Sequence, residues 1–206
     1  MKESSFVEVV KVMNGVFVDP QPHIERMLRT TLHFFSTPLN AELTDDIIPI
    51  HLRFGLVKCR IVYNSKIVSI SFEPYKIRNI RSLALVEHNS IDYSYKYLNR
   101  DSINKLLLLR EDCDDILIVK NSMITDTSYT NIVFKDSKGI LYTPTNCLLA
   151  GTKRKKLLET GVIHKKEILV DDIHLYEGVY LINAMIDIED NLFVGVDSII
   201  KRRNSK

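Results

Sequence analysis

The chain has 206 residues, of which 45% are hydrophobic and 26% charged, a balance typical of a folded globular protein. Its 28 Lys and Arg residues against 26 Asp and Glu residues give a formal net charge of +2, too small an excess for a general nucleic-acid binder. No apolar run is long enough to span a membrane, and the first residues lack the apolar stretch of a signal peptide. We therefore expect a cytoplasmic protein that binds neither nucleic acid nor membrane.

Three widely spaced cysteines, Cys59, Cys113 and Cys147, form no CxxC pair. This pattern gives no support to a zinc ribbon or a redox dithiol, and it is typical of a reducing compartment. No metal site is predicted. A basic run at residues 201–206 is predicted to be a solvated C-terminal tail.

The first half of the chain predicts strands and helices in pairs. The β-branched segment 6–12 reaches Asn14-Gly15, a tight-turn dipeptide, and then continues, which predicts a hairpin. Apolar residues recur at helical spacing from about His23, and Asn40 is a candidate cap for a second helix over residues 41–52. Further strands are predicted at residues 55–63, 66–74 and 81–87.

The second half follows a polar segment, residues 88–95, that we interpret as a linker between domains 1–90 and 96–206. A helix is predicted for residues 96–110, and another for residues 152–159 that ends at Gly161. Strands are predicted at residues 116–120, 122–126, 131–135, 140–143, 166–170 and 178–183, followed by a hairpin. The order of elements predicts an α+β fold, because it lacks the βαβ alternation of a Rossmann sheet.

Asp126 lies five positions before Asn131, and the strand that follows continues Ile-Val-Phe. From the residue types alone, Asp126 is as well explained by the start of a turn. The whole segment, however, resembles the signature of class IV aminotransferases, in which a Glu pairs with the pyridine nitrogen of pyridoxal phosphate. The resemblance implies that Asp126 holds this nitrogen protonated and that Asn131 belongs to the same site.

The signature continues with a helix that opens at Gly151. The resemblance implies that Gly151 and the backbone N–H groups of Thr152 and Lys153 bind the cofactor phosphate, as helix N-termini do. The family usually has an aliphatic residue and then Thr after this glycine. Lys153 is therefore interpreted either as an added phosphate contact or as a solvated helix residue.

The segment Tyr95-Lys96-Tyr97-Leu98-Asn99-Arg100 is similar to the lysine segment of 4-amino-4-deoxychorismate lyases. It lies thirty residues before Asp126, the order that the family has. The resemblance implies that Lys96 is the catalytic lysine, which forms the covalent bond with pyridoxal phosphate and later carries the proton of the substrate.

Several other site residues are implied by the same resemblance. The pair His23 and Arg26 matches an H-x-x-R segment whose Arg binds the phosphate, while His23 is interpreted as a structural contact of the helix. Asn183 and the backbone of Ala184 match a late phosphate-contacting segment. Arg53 and Arg60 are candidates for binding substrate carboxylates, or are surface residues.

The resemblance implies the fold type IV architecture of pyridoxal-phosphate enzymes, with a small N-terminal α/β two-layer domain and a larger C-terminal mixed α/β barrel-like domain. It also implies a homodimer that acts on a small amino-acid-like molecule. The favoured reaction is that of 4-amino-4-deoxychorismate lyase, which eliminates pyruvate to leave 4-aminobenzoate, a folate precursor. Alternatives are a branched-chain or D-amino-acid aminotransferase, and a shortened non-catalytic relative that acts as a binding module. The strand at residues 6–12 lies almost at the start of the chain, where family members have an additional hairpin, so we expect an altered substrate pocket.

Overall fold

The computed structural model describes residues 4–201, and these form two compact units. The first unit contains the described residues up to Ile77 together with Tyr95–Asn99, and the second contains Arg78–Ser94 and the described residues from Arg100 onward. Helices and strands are mixed along the chain, so the predicted α+β class is confirmed. The basic run predicted as a tail lies outside the described residues except for Lys201.

The first unit contains one antiparallel sheet and the long helix α1 (Gln21–Phe35). The sheet consists of β1 (Phe6–Met13), β2 (Val16–Val18), β3 (Leu56–Tyr63) and β4 (Ile67–Pro74), in the order β2-β1-β3-β4. Asn14 and Gly15 form the β1–β2 turn with φ angles of 50° and 79°, the left-handed geometry that matches the twist of a two-residue hairpin. The predicted hairpin is therefore confirmed.

The core of the first unit surrounds Phe6, which is fully buried. The rings of Phe34, Tyr97 and Tyr63 lie 4.8, 5.2 and 5.7 Å from it, measured between ring centroids. Helix α1 contributes an unusual face to this unit. Its buried residues are His23, Arg26, Met27, Thr30 and Thr31. Four of these five are polar, so each needs a hydrogen-bond partner inside the protein.

The second unit contains two sheets and two short α-helices, α2 (Asp101–Leu107) and α3 (Thr152–Glu159). Its strands are β5 (Leu83–Glu87), β6 (Asp115–Lys120), β7 (Met123–Thr127), β8 (Asn131–Asp136), β9 (Leu141–Pro144), β10 (His164–Lys166), β11 (Tyr176–Ile182), β12 (Phe193–Gly195) and β13 (Ile199–Lys201). One sheet has the order β13-β5-β6-β7 and the other the order β10-β9-β8-β11-β12. The segment between β7 and β8 therefore crosses from one sheet to the other.

The helix predicted for residues 41–52 is wrong. Two short 3₁₀ turns, Asp45–Ile47 and Ile50–Leu52, stand there instead. Pro49 lies between them, and its missing N–H group and fixed ring interrupt an α-helix at this point. The candidate cap Asn40 was therefore not sufficient to predict a helix in this segment.

The helix predicted for residues 96–110 begins only at Asp101. The preceding residues are not helical, because they pair with β1: the N–H of Val7 donates to the carbonyl of Lys96 at 2.9 Å, and Phe6 forms a bridge with Tyr97. Tyr97 also packs its ring on Phe6. Strand pairing and burial of the aromatic ring thus outweigh local helical preference.

Two predictions near the end of the chain also differ from the structure. The strand predicted at residues 166–170 is wrong, since β10 ends at Lys166 and a 3₁₀ turn, Val170–Leu175, follows. The final two strands do not form a hairpin, because β12 pairs with β11 while β13 pairs in parallel with β5. Strand β5 was expected in the first domain, but it pairs in parallel with β6 of the second unit.

Residues 4–201 contain neither a membrane-spanning helix nor a metal-binding cluster of side chains. No helix there is long and apolar enough to cross a bilayer, and no group of three or more His, Cys, Asp or Glu side chains is arranged to hold a metal ion. The three cysteines carry free thiols. Burial raises the pKa of Cys59 to about 12, so its thiol is unreactive at neutral pH.

Gly178 on β11 pairs with Gly195 on β12. Only one of these two positions lacks the space for a side chain. A Cβ atom on Gly178 would lie 2.4 Å from the carbonyl oxygen of Val194, whereas one on Gly195 would meet nothing nearer than 4.0 Å. We expect Gly178→Ala to lower the free energy of unfolding by about 1–3 kcal/mol. Gly195→Ala, the matched control, should change it by less than about 0.5 kcal/mol. Urea unfolding measures both, and equal midpoints for the two variants would contradict the close approach.

Candidate active site

Asp126 is a buried carboxylate near the end of β7, with only 6% of its surface exposed. Its Oδ1 accepts a hydrogen bond from Nδ2 of Asn131 at 2.8 Å. Its Oδ2 accepts from the backbone N–H groups of Leu148 and Leu149 at 2.8 and 2.9 Å. The side chain therefore joins β7, the start of β8 and the loop that precedes α3.

The charge of Asp126 is controlled by burial. Burial raises the pKa of this carboxyl group to about 6, against the opposing effect of the three hydrogen bonds and of the charge on Arg154. The group is thus mostly ionised at neutral pH. A carboxylate offers about four acceptor positions, and three are used here, which leaves one on Oδ1 for a further N–H donor.

Gly151 is required by its neighbour Asn131. A Cβ atom at position 151 would lie 2.0 Å from Oδ1 of Asn131, although the φ angle of −67° is one that any residue adopts. Asn131 cannot move away without loss, because Nδ2 donates both to Asp126 and to the carbonyl of Leu149. Close approach, rather than backbone conformation, therefore fixes glycine at the start of α3.

The N-terminus of α3 has the features of an anion site. Gly151 provides no side-chain cap, and the first turn contains no acidic residue, so the first N–H groups and the positive end of the helix dipole favour an anion. Lys153 in this turn forms an ion pair with Asp187, and both side chains are largely buried. Asp187 therefore stands close to the same helix end as a negative charge.

Arg154 is a residue to which the sequence assigned no role, because it lies in a basic run. It is buried, with Nε donating to Oγ1 of Thr143 at 3.0 Å and Nη2 donating to the carbonyl of Pro144 at 2.7 Å. These bonds fasten the first turn of α3 to the end of β9. The sequence feature that could have indicated a role for Arg154 is Thr143, a hydroxyl residue in the strand before the helix.

Asn183 lies in the turn after β11 and contacts the same region. Its Oδ1 accepts from the N–H of Met185 at 2.8 Å, and its Nδ2 donates to the carbonyl of Tyr129 at 3.4 Å. Ala184 is half-buried beside it. The second unit thus brings Asp126, Asn131 and Gly151 into direct contact and holds Asn183 against the segment between β7 and β8.

Arg100 also holds that segment and was missed as a site residue. Its Nη2 donates to the carbonyl of Ser128 at 2.5 Å. This bond holds the segment between β7 and β8 to the residue that precedes α2. The sequence resemblance included Arg100 only as the last residue of the lysine segment, without a role of its own.

Lys96 and Arg26 belong to the first unit. Lys96 is half-buried, and its carbonyl accepts from Val7 on β1. The N–H of Tyr97 donates to the carbonyl of Tyr95 at 2.9 Å, so Lys96 lies at the centre of a tight turn. Arg26 is buried on α1 and pairs with Glu8 of β1. Both predicted cofactor contacts of this unit therefore depend on β1.

The two substrate candidates are placed differently from each other. Arg53 is exposed and donates to the carbonyls of Ile48 and Asp45 at 3.2 and 3.3 Å, so it braces its own loop. Arg60 is half-buried on β3, between Val9 on β1 and Ser71 on β4. A contact with substrate stays a prediction for both residues.

The raised pKa of Asp126 predicts how stability depends on pH. An unfolded Asp titrates near 3.8 and the folded one near 6, so the folded state keeps the proton longer. Stabilisation is then fully present below pH 3.8 and is lost as pH rises through 6. The free energy of unfolding of the cofactor-free protein should fall by about 3 kcal/mol over this range relative to Asp126→Asn.

Urea unfolding at a series of pH values measures this difference. The exposed carboxylate variant Asp46→Asn serves as the control, and its profile should run parallel to that of the unmodified protein. A profile of Asp126→Asn that also ran parallel would contradict the burial-raised pKa.

The comparisons with known proteins agree with one another. The family model of class IV amino-transferases matches residues 5–189. A Haemophilus influenzae protein of uncharacterised function is 39% identical over 138 residues, which are 67% of this chain and 73% of that protein. A Haemophilus somnus 129PT protein, provisionally named a 4-amino-4-deoxychorismate lyase, has a TM-score of 0.80 at 34% identity, over 90% of this chain and 98% of that one.

A more distant likeness concerns the fold alone. The branched-chain amino acid aminotransferase of Escherichia coli has a TM-score of 0.68 at 13% identity, over 89% of this chain and 74% of that one. The predicted fold type IV architecture is thereby confirmed. The lysine segment, the acidic signature and the helix that begins after Gly151 all lie within the residues that this family model matches. The chain belongs to the class IV aminotransferases, a family of pyridoxal-phosphate-dependent aminotransferases and lyases.

Proposed function

We propose that this chain binds pyridoxal phosphate and acts as a 4-amino-4-deoxychorismate lyase. The observation that carries the proposal is the buried, ionised Asp126 with one acceptor position left on Oδ1. Such a carboxylate is suited to a protonated ring nitrogen, which it holds in the charged form. The shorter side chain of Asp, where relatives have Glu, keeps this charge.

The phosphate end of the cofactor also fits the residues present. The uncapped start of α3 supplies backbone N–H groups, and Gly151 leaves room for close approach. Lys153 adds a positive charge, which its partner Asp187 balances. We assign Arg26 and the turn at Asn183 and Ala184 to the phosphate as well, in accordance with the sequence resemblance.

Lys96 has the central role in the proposed reaction. Its Nζ would bind the cofactor covalently and then take the proton from the carbon that bears the amino group of the substrate. Pyridoxal phosphate, when bound, supplies the electron sink that makes this proton acidic. The lyase then expels the enolpyruvyl group of the substrate as pyruvate, and 4-aminobenzoate remains.

Two features support a lyase rather than a transaminase. The Lys-x-Leu-Asn-Arg run is similar to that of 4-amino-4-deoxychorismate lyases, and the Haemophilus somnus relative with that provisional name is 34% identical over most of both chains. The alternative is transamination of a branched-chain or D-amino acid, which begins with the same proton removal. We place the substrate carboxylates at Arg60 and Arg53 and expect a homodimer.

Product analysis with the cofactor-loaded protein separates these reactions. We expect 4-aminobenzoate and pyruvate to form in equal amounts from 4-amino-4-deoxychorismate, without a 2-oxo acid as co-substrate. Lys96→Arg keeps the positive charge but cannot perform the chemistry, so it should lower the rate at least about 100-fold. Lys105→Arg alters an exposed lysine on α2 and should leave the rate unchanged.

The other outcomes contradict the proposal in different ways. Oxo-acid turnover without 4-aminobenzoate would assign the chain to the aminotransferases. A protein that takes up no pyridoxal phosphate would favour the non-catalytic binding module. Full activity of Lys96→Arg would remove Lys96 from the reaction.

A further inference from the structure

A buried ionic cluster lies between β1 and α1 in the first unit. Glu8 in the middle of β1 is fully buried. Its Oε1 accepts from Nε of Arg26 at 2.6 Å, and its Oε2 accepts from Nη2 of Arg26 at 2.7 Å and from Nδ1 of His23 at 2.8 Å. The two bonds from Arg26 are parallel, the arrangement in which a carboxylate fixes the plane of a guanidinium group.

The Glu8 carboxyl group is ionised at neutral pH. Burial raises the pKa of Glu8, but the charge and hydrogen bonds of Arg26, followed by those of His23, outweigh it and bring the pKa to about 2. Buried ion pairs are weak contributors to stability, because desolvation offsets their attraction and an apolar set of similar volume often stabilises a fold as well. Stability alone therefore does not explain why Glu8, Arg26 and His23 are buried together. A functional role for Arg26 would explain it.

The geometry restricts Arg26 to one orientation. Glu8 occupies Nε and Nη2, which form one edge of the guanidinium, so the edge that carries Nη1 is directed away from Glu8. The main chain of Arg26 is held as well, since its carbonyl accepts from Oγ1 of Thr30 at 2.8 Å. An arginine held in this way loses little side-chain entropy when it binds an anion.

The same strand also fixes the lysine segment. The N–H of Val7 donates to the carbonyl of Lys96 at 2.9 Å, and the N–H of Leu98 donates to the carbonyl of Ser5 at 2.9 Å. Glu8 thus follows by one residue the point at which β1 holds Lys96. One strand therefore sets the spacing between Lys96 and Arg26.

We propose that Glu8 is a positioning residue that, together with His23, presents Arg26 to the phosphate of pyridoxal phosphate at a spacing from Lys96 that β1 fixes. This inference rests on the proposed function, because it takes the phosphate as the anion that Arg26 binds. Glu8 itself contacts neither cofactor nor substrate in this account. Its effect is therefore specific to ligands that carry a phosphate.

Glu8→Gln tests the proposal most directly. Glutamine has the same shape, but its NH₂ group faces a donor of Arg26 or His23, so the plane of Arg26 is no longer fixed. We expect the dissociation constant for pyridoxal phosphate to rise at least about tenfold, while that for pyridoxal, which lacks the phosphate, changes less than about twofold. Absorbance titration of the cofactor-free full-length protein measures both constants. A general loosening of the fold would weaken both ligands alike and would overturn the proposal.

Two further variants keep the test decisive. Glu73→Gln removes the exposed partner of the half-buried Lys58 on the same sheet and should change neither constant. Glu8→Asp keeps the charge that Arg26 needs, so it decides the matter if Glu8→Gln does not fold. We expect it to give a smaller loss, again confined to the phosphorylated ligand.

The outcomes separate this inference from the proposed function. Wild-type binding of pyridoxal phosphate with equal affinity in Glu8→Gln would overturn the positioning role and leave the function intact. If the wild-type protein prefers pyridoxal phosphate over pyridoxal by no measurable factor, Arg26 binds no phosphate and the positioning role fails. If it binds neither ligand, both proposals fail.

Discussion

Within residues 4–201, the buried carboxylate of Asp126 has no cationic partner at hydrogen-bond distance, and its need for hydrogen bonds constrains the position of α3 in the second unit. Asp126 must satisfy its acceptors, and it does so with the amide of Asn131 and the N–H groups of Leu148 and Leu149. Asn131 in turn leaves no space for a side chain at Gly151. The position of α3, and with it the helix end proposed to bind the phosphate, thus follows from where Asp126 is buried.

Two buried acids, Asp126 and Glu8, show how the partners of a carboxylate decide its pKa. Asp126 has uncharged donors as its nearest partners, so burial prevails and the pKa rises to about 6. Glu8 faces Arg26 and His23, so the pKa falls to about 2. In the proposed enzyme Asp126 keeps one acceptor position for the cofactor ring, whereas Glu8 uses its acceptor positions to bind Arg26 and His23. In that enzyme both acids would serve the cofactor, one directly and one through Arg26.

Local patterns predicted those elements whose geometry is local. The helix opened by Gly151, the Asn14-Gly15 hairpin and most strands followed from spacing and turn residues. The helix placed at residues 96–110 failed because Tyr97 pairs with β1, a contact between residues about ninety positions apart. The sequence shows Glu8 as a charged residue within an apolar strand, but it does not indicate that Arg26 on α1 is its partner. The buried position of Arg154 was likewise hidden in a basic run that resembles a solvated surface.

In the proposed enzyme Lys96, and no other lysine, holds the cofactor. Borohydride reduction of the protein loaded with pyridoxal phosphate, followed by peptide mapping, tests it directly, because reduction makes the lysine–cofactor bond permanent. We predict a single pyridoxyl label on the peptide that contains Lys96. Lys153 is the informative alternative, since it lies at the proposed phosphate site. A label on Lys153 or on several surface lysines, with Lys96 unmodified, would contradict the account.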